Sequence, residues 1–572
     1  HTAGQMKSFE EMVNAGNNCE GQTVKLGKDI ELSGLCSKNG DSWNPIGIST
    51  AFSGTFDGQG HSISGMYMDL NTLGSSAKAG LFGMTANAEI RNLTMRNSII
   101  CDTGETSNEK EYVGMLIGRS TKNLTISNVS VAEDCSVQAA AIAVGGMVGR
   151  AQTDCSNYTT ATKEDIIITN AENHADVTLL DGKRKSDTSI TYSGVKVSLT
   201  GAGGIIGNAD GGSDSLFGRD GEMRFVFNTG TITNGSSAGT FNCAGGLIGM
   251  HFSRAGNVGP GKWSDRALPI QYSYNVGNVT APQTNGRAAG ISGVRLGISS
   301  TDLISGTYSN ALQIGNCFST GNINGETIGV ISTFTKAGAD SNQNYYVNDF
   351  AEDSSVQDAK LAEAVEKETL TNGKLAYLLD KGNSASHRTN YFKQGTLHPE
   401  FSTTDSVYKM SIHATGLDEV EGIQDERILT FAKALPQQME ISGEAKVTTE
   451  YFAKNAEEEK EITFKVNTPE GYVLRSARGS GIKEDSLKIK DKEIKDKETG
   501  DITLTSTVTV TIDAGADLNL YLNFIKMPND YGNEMKVVLS SNAGDEKLWT
   551  LLPLITPPKK AAEISFDYQN GD

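Results

Sequence analysis

The chain repeats one short pattern of small residues around an apolar pair. It appears as "AGLFG" (79–83), "GGMVG" (145–149), "GGIIG" (203–207), "GGLIG" (245–249) and "AGISG" (289–293), with looser copies "VGMLIG" (113–118) and "IGVIS" (328–332). A second motif alternates with it: "NTGTI" (228–232), "NVGNV" (275–279) and "STGNI" (319–323), preceded by the aromatic stretches "RFVF", "YSYN" and "NCFS". The glycine copies recur from 80 to 329 at a mean spacing of about 42 residues. An apolar strand of three or four residues cannot hold a register alone, but it can when stacked on copies of itself. Glycine permits positive φ at corners and leaves room where one turn of chain lies on the next. Asparagines at equivalent turns can hydrogen-bond in ladders. These features predict an all-β chain built on a parallel β-helix. Coils of such solenoids take about 20–25 residues, so each period is expected to hold two coils. Residues 20–345 would then form about 14 coils, a rod of about 65–70 Å.

The ends of such a stack expose unpaired strand edges and need covers. Residues 1–18 are expected to supply a capping helix, "SFEEMVNAGN" (8–17), with Ser8 as N-cap, Glu11 at N3, and Phe9, Met12 and Val13 on one face before Gly16. The β-helix is assigned to 19–350. Residues 351–404 are expected to form a helical cap and linker, with Leu375, Leu378 and Leu379 on one helix face closed by Gly382. Beyond 405 glycine falls and strands lengthen. "DITLTSTVTVTID" (501–513) places Ile502, Leu504, Val508, Val510 and Ile512 on one face. Residues 405–572 therefore read as an Ig-like antiparallel β-sandwich of seven to nine strands. The charge run 483–501 reads as a solvated hairpin.

At its glycine repeats the sequence resembles proteins carrying the GLUG motif, known from bacterial secreted and surface proteins that include IgA-specific metallopeptidases of streptococci. The opening "VKLGKDIELSG…WNPIG…FSGTFDGQGHSI" and the segment "LTNGKLAYLLDKG…YFKQGTLHPEF" (370–401) are similar to the first and last parts of such regions. The resemblance covers about residues 5–402 and implies a right-handed β-helix, in keeping with the hand of parallel crossovers. It also implies secretion and a bacterial source. Residues 405–572 carry no such resemblance.

Composition narrows the function. The 572 residues carry a net charge of −19, which disfavours nucleic acid and anionic membranes as partners. No apolar run approaches the length of a bilayer span. The chain opens on "HTAGQMKSFEEMV" without an initiator Met, so it is expected to be a trimmed fragment whose leader or anchor lies outside it. Its seven cysteines include no CxxC pair, which argues against zinc; buried core thiols are expected, with Cys19 and Cys36 placed to pair. None of the seven histidines has the HExxH spacing that a metallopeptidase needs.

The remaining candidates are few. "FSGTFDGQGHSISGM" (52–66) brings Asp57 near His61, but Phe52, Phe56, Ile63 and Met66 are spaced as inward residues, so it reads as two strands and a turn. "GSSAG" (235–239) matches GxSxG without the strand-to-helix flanks of a nucleophile elbow. The insertion "NADGGSDSLFGRDGEM" (208–223) gathers Asp210, Asp214, Asp220 and Glu222. It reads first as a solvated loop, then as a calcium loop, then as a carboxylate pair for glycan cleavage. No other cofactor is expected. A second insertion (250–271) carries Trp263 and Arg266, a contact for sugar or protein, or a Trp folded onto the side of the rod. A third (178–198) reads as a basic β-hairpin. The expected function is a non-catalytic adhesin or host-interaction region at the bacterial surface, binding host protein or glycan through lateral loops. A carbohydrate-active β-helix enzyme and the non-catalytic part of an IgA-type metallopeptidase are the alternatives.

Overall fold

The structure is a computed structural model that describes residues 1–74, 77–102, 110–153, 165–181, 189–192, 195–210, 221–259, 262–266, 268–298, 314–333, 343–347, 356–357, 362–381, 389–402, 404–415, 429–431, 447–455, 457–467, 472–495 and 502–526. Asp214, Asp220, Cys155 and Gly382 lie outside the described residues. The chain divides into two compact units, His1–Val407 and Tyr408–Asp572.

The first unit is built of long parallel sheets that the chain visits in a fixed order. From Ala141–Gly145 it turns through the "GGMVG" corner into Val148–Gln152, then runs through Ile166–Asn173 and Asp176–Leu179 before reaching Val195–Gly203. That last strand lies parallel beside the first, with Gly203 opposite Gly145. Gly245 then stands opposite Gly203, Ala289 opposite Gly245, and Gly329 opposite Ala289. Hydrogen-bonded neighbours are thus one full sequence period apart. This overturns the expectation of two coils per period, and with it the count of about 14 coils. The physical reason is that one circuit accommodates four short strands and their corners, and so uses the whole repeat.

The repeat glycines are also not where positive φ is needed: none of the glycines at 145, 146, 203, 204, 245 or 246 has it. They are required by close approach. A Cβ on Gly204 would lie 2.1 Å from the Gly246 carbonyl oxygen and 2.6 Å from the Asn228 side chain. Gly146 bears the same relation to Asn173, and Gly246 to Asn275. The two sequence motifs therefore meet, the second glycine of one resting on the asparagine of the other. These asparagines are buried and form the expected ladder. Asn173 Nδ2 donates to Asn228 Oδ1 at 2.8 Å, and Asn228 Nδ2 to Asn275 Oδ1 at 2.8 Å. Each amide also donates to the carbonyl two residues on, at Ala175, Gly230 and Gly277. Asn173 and Asn228 thus use both amide protons, which favours their burial.

Helix α1 (Ala3–Asn14) covers the first strands, starting earlier than expected. Its N-cap is Thr2, whose Oγ1 accepts from Gln5 N, and not Ser8. Met6, Phe9, Glu10 and Val13 make its buried stripe, while Met12 is exposed, because the i, i+3/i+4 sequence begins at Met6. The Phe9 ring meets Phe52 and Phe56 at 5.9 and 6.1 Å. Helix α2 (Lys374–Asp380) buries Leu375 and Leu379, but Leu378 only in part. It packs against the hairpin formed by Phe392–Gln394 and Pro399–Phe401.

The second unit has eight described strands in two four-stranded sheets. Alternate residues of both sheets, among them Tyr408, Ile412, Phe464, Val508, Val510, Leu520 and Phe524, share one apolar cluster. The charge run does pair as a hairpin strand, Lys488–Lys495 with Ile502–Ile512. One pairing departs from an all-antiparallel arrangement: Asp405–Thr415 runs parallel to Leu518–Lys526. These strands are distant in sequence, and the long connection makes parallel pairing available.

Replacing Gly204 by Ala is expected to destabilise the first unit by more than about 3 kcal/mol, because the nearest opposing atom is a backbone carbonyl oxygen and the next belong to the buried Asn228 of the ladder. Gly34→Ala, where a Cβ meets nothing within 4 Å, is expected to change stability by less than about 0.5 kcal/mol. Thermal and urea unfolding of the two variants checks this.

Candidate functional site

One position of the circuit takes left-handed backbone in eight successive rounds. It is held by Gln59, Asn92, Asn128, Asn170, Phe225, Tyr272, Asn316 and Gln343, with φ between 47° and 58°. Asparagine tolerates this conformation best among residues with a side chain, which explains its recurrence. The same position faces outward: Gln59, Asn128 and Asn170 are exposed and Asn92 is half-buried.

The first rounds of this column form a polar relay. Asp57 Oδ1 accepts from the Gln59 N–H at 2.9 Å and from Asn92 Nδ2 at 3.0 Å; Asn92 Oδ1 accepts from Asn128 Nδ2 at 3.1 Å. Arg91 bridges Asp57 (Nε, 3.2 Å) and Glu89 (Nη1, 2.8 Å). The hydrogen bond from Asn92, aided by Gln59 and Arg91, holds the Asp57 carboxyl below its ordinary range. Three rounds further on, the hydrogen bond from His174 likewise lowers that of Glu172. Over these residues lies an open depression of about 550 Å³ lined by Asp57, Gln59, Asn92, Thr94 and Asn128. A second, of about 340 Å³, shares Thr94 and Asn128 and continues past Asn170 and Glu172 to Phe225, Phe227 and Phe401. Together they make one groove along the stack of strands.

An aromatic wall closes the groove. Phe227, Tyr274 and Phe318 stack nearly parallel, each pair 4.7 Å apart between centroids. Beside them Phe225 stacks on Tyr272 at 5.8 Å. The Arg224 guanidinium lies over Phe225, Tyr272 and Tyr391, and its Nη2 donates to the Tyr391 hydroxyl at 3.1 Å. Tyr391 and Phe401 bring the segment 389–402 onto this wall. Of these aromatic stretches, Phe225 and Phe227 remain half-buried at the surface, whereas Tyr274 and Phe318 are buried against His398, Phe392 and Phe401.

The candidates read from the sequence fall elsewhere. Asp210 ends the strand Ile206–Asp210 and is buried; its Oδ2 lies 2.6 Å from Arg150 Nη2 on the adjacent strand. Arg150 also donates to the Tyr112 hydroxyl at 2.7 Å. Burial works against the charge of Arg150, but Asp210 and Tyr112 outweigh it and raise its pKa. Asp210 thus joins two strands and is not a loop residue. Glu222 begins the next strand, Glu222–Asn228. Trp263 and Arg266 lie on Lys262–Arg266, which pairs antiparallel with Ile248–Gly259, Trp263 opposite Asn257 and Arg266 opposite Arg254. Their side chains lie outside the described part. The basic excursion is a hairpin in its described residues, Ser189–Tyr192 against Val195–Ser198.

In "FSGTFDGQGHSISGM" Phe52, Phe56, Ile63 and Met66 are all buried, and His61 Nδ1 stands 3.4 Å from Asp29 Oδ1. "GSSAG" is a turn: the Ser237 hydroxyl donates to the Asp181 carboxylate at 2.9 Å and the chain continues into a strand, not a helix. The six described cysteines are unpaired, so Cys19 and Cys36 form no bridge; all but Cys101 are buried. Among the described residues no three His, Cys, Asp or Glu are placed to hold a metal, and no helix is long and apolar enough to cross a membrane. The groove itself was missed. Its signal was present in "IRNLT" (90–94), "ISNVS" (126–130) and "ITNAE" (168–172), which align only once the circuit length is known.

No protein family, curated protein or solved structure matches the chain.

The lowered Asp57 carboxyl sets a pH dependence. Its folded pKa lies below the unfolded one, so its stabilising contribution is present above the unfolded value, about 3.9, and is lost as pH falls through the folded value. Asp57→Asn is expected to be less stable than the parent chain at pH 7, with the difference shrinking below about pH 4. Urea midpoints across that range check the sign. Asp210→Asn, which leaves Arg150 buried without its counter-charge, is expected to cost about 3–5 kcal/mol at neutral pH.

Proposed function

We propose that the chain is an extracellular, non-catalytic binding region of a bacterial surface or secreted protein. In this reading a right-handed parallel β-helix carries the ligand surface and a β-sandwich module follows it. The ligand is a host protein or a glycan. The fold assignment is supported by strands that stack in parallel one period apart and by the likeness of the repeats to the GLUG motif.

The observation that carries the reading is the state of the groove's carboxylates. Glycoside cleavage needs a carboxyl kept protonated at neutral pH and a second about 5–9.5 Å away. Asp57 and Glu172 both shift the other way, towards the ionised form. They also stand far apart. Asp57 is opposite Arg91, Arg91 opposite Ser127, and Ser127 opposite Thr169, so the strand of Glu172 is three steps distant, about 14 Å. Glu89 lies nearer to Asp57, but both are tied to Arg91. Such groups can orient a ligand through hydrogen bonds without reacting with it.

The expected result is saturable binding to host glycoproteins or cells, with no release of reducing ends from a mucin or plant glycan panel. Turnover of any glycan, lost on Asp57→Asn or Glu172→Gln, would replace this reading with an enzymatic one.

A further inference from the structure

Resting on the binding reading above, we propose that the groove from Gln59 to Phe225 binds a neutral, extended oligosaccharide. The sugar chain lies along the stack of strands and ends against the aromatic wall.

Three observations converge on that ligand. The first is the chemistry of the floor. Asn92, Thr94, Asn128 and Asn170 present amides and hydroxyls that both donate and accept, as sugar hydroxyls do. The guanidinium groups at this surface are already engaged, Arg91 by Asp57 and Glu89 and Arg224 by the Tyr391 hydroxyl and the rings it covers, while the carboxylates of Asp57 and Glu172 repel an anionic chain. An extended peptide would dock by adding a strand to a sheet edge. The groove offers no edge, because Leu124–Val131 and Ile166–Asn173 are paired on both sides.

The second observation is the repeat. Equivalent side chains recur at each strand step, about 4.8 Å, which is close to the length of one pyranose unit in an extended chain. From Gln59 to Phe225 is four steps, about 19 Å, room for about four sugars. The third is Phe225. A bulky aromatic is a poor occupant of left-handed backbone, yet it holds the position filled by Asn92, Asn128 and Asn170 in the preceding rounds. There it turns the polar floor into an apolar wall with Phe227 and Phe401. The C–H face of a pyranose stacks on such rings, whereas a polar turn residue would leave that face uncovered.

The test uses the full chain with chitohexaose, cellohexaose and, as the anionic probe, hexagalacturonate, titrated by calorimetry. Two variants are compared with the parent. Asn128→Gly keeps the left-handed backbone and removes one amide, and Phe225→Asn installs the residue that the three preceding rounds carry. The parent is expected to bind at least one neutral probe, and each variant to weaken that binding about tenfold with its unfolding midpoint preserved. Because Phe225 also touches the segment 389–402, Asn128→Gly is the decisive variant if Phe225→Asn loosens that segment. The inference is overturned if the parent binds neither neutral probe, if it binds hexagalacturonate alone, or if Asn128→Gly binds as the parent does. Host-glycoprotein binding unchanged in both variants would sink the groove and leave the binding reading standing. Hydrolysis of a neutral probe, lost in both variants, would keep the groove and sink the non-catalytic reading.

Discussion

The first unit depends on a contact in which no side chain fits. At each corner the backbone of one round comes so close to the next that a Cβ on Gly146, Gly204 or Gly246 would fall about 2 Å from a carbonyl oxygen. The asparagine amides fill the space that remains. Because Asn173, Asn228 and Asn275 bond to one another and to backbone carbonyls, the corner is polar and buried, with the amide donors of Asn173 and Asn228 paired and only the Asn173 Oδ1 at the start of the ladder left without a partner. Apolar residues such as Ile205, Ile206, Leu247 and Ile248 then need only point inward. The glycine sets the spacing, the asparagine sets the register, and the aliphatic pair supplies the burial.

Once register is set at the corner, it is carried around the circuit. The left-handed position recurs at a fixed distance before the ladder residue: Asn170 before Asn173, Phe225 before Asn228, Tyr272 before Asn275. The outward column and the inward ladder thus keep one register over these rounds, and at Asn92 and Asn128 the column continues with buried Met95 and Val131 at the inward place. Differences in length between rounds do not disturb it, since the described strands on either side keep the same register. This is how a chain with irregular repeat spacing keeps a continuous surface across several rounds, and why that surface can suit a ligand that is itself long and regular.

What was legible in the sequence was whatever depends on neighbours along the chain. The burial of Phe52, Phe56, Ile63 and Met66, the hairpin at 189–198 and the alternation at Val508, Val510 and Ile512 are all local patterns. The misreadings concern pairing across rounds. Period length does not reveal whether one circuit or two fill it; the pairing of Gly203 with Gly245 is what fixes one circuit per period. Asp210 looked like a loop carboxylate because its partner, Arg150, lies a whole round earlier. Ser8 offers a fuller capping pattern in sequence than Thr2, but the burial that decides where the helix starts belongs to Met6. Of the groove, the residues were visible and their alignment was not.

The segment 389–402 shows how the end of the first unit bears on the same surface. Buried Asp380, at the close of α2, accepts from Tyr391 N, Phe392 N and the Ser406 hydroxyl, which fixes the segment before it reaches the wall. Tyr391 and Phe401 then meet Phe225, Tyr272 and Tyr274 edge-on or tilted. A bare stack of outward aromatics would be an aggregation hazard; covered on one flank, it leaves Phe225, Phe227 and Phe401 at the mouth of the groove and little else. Phe401 thus has two roles that cannot be separated, holding down the segment and forming part of the wall. The end of the groove is in this sense made by the residues that finish the fold, which is why the surface is complete only when residues far apart in the chain, from Asp57 to Phe401, are present together.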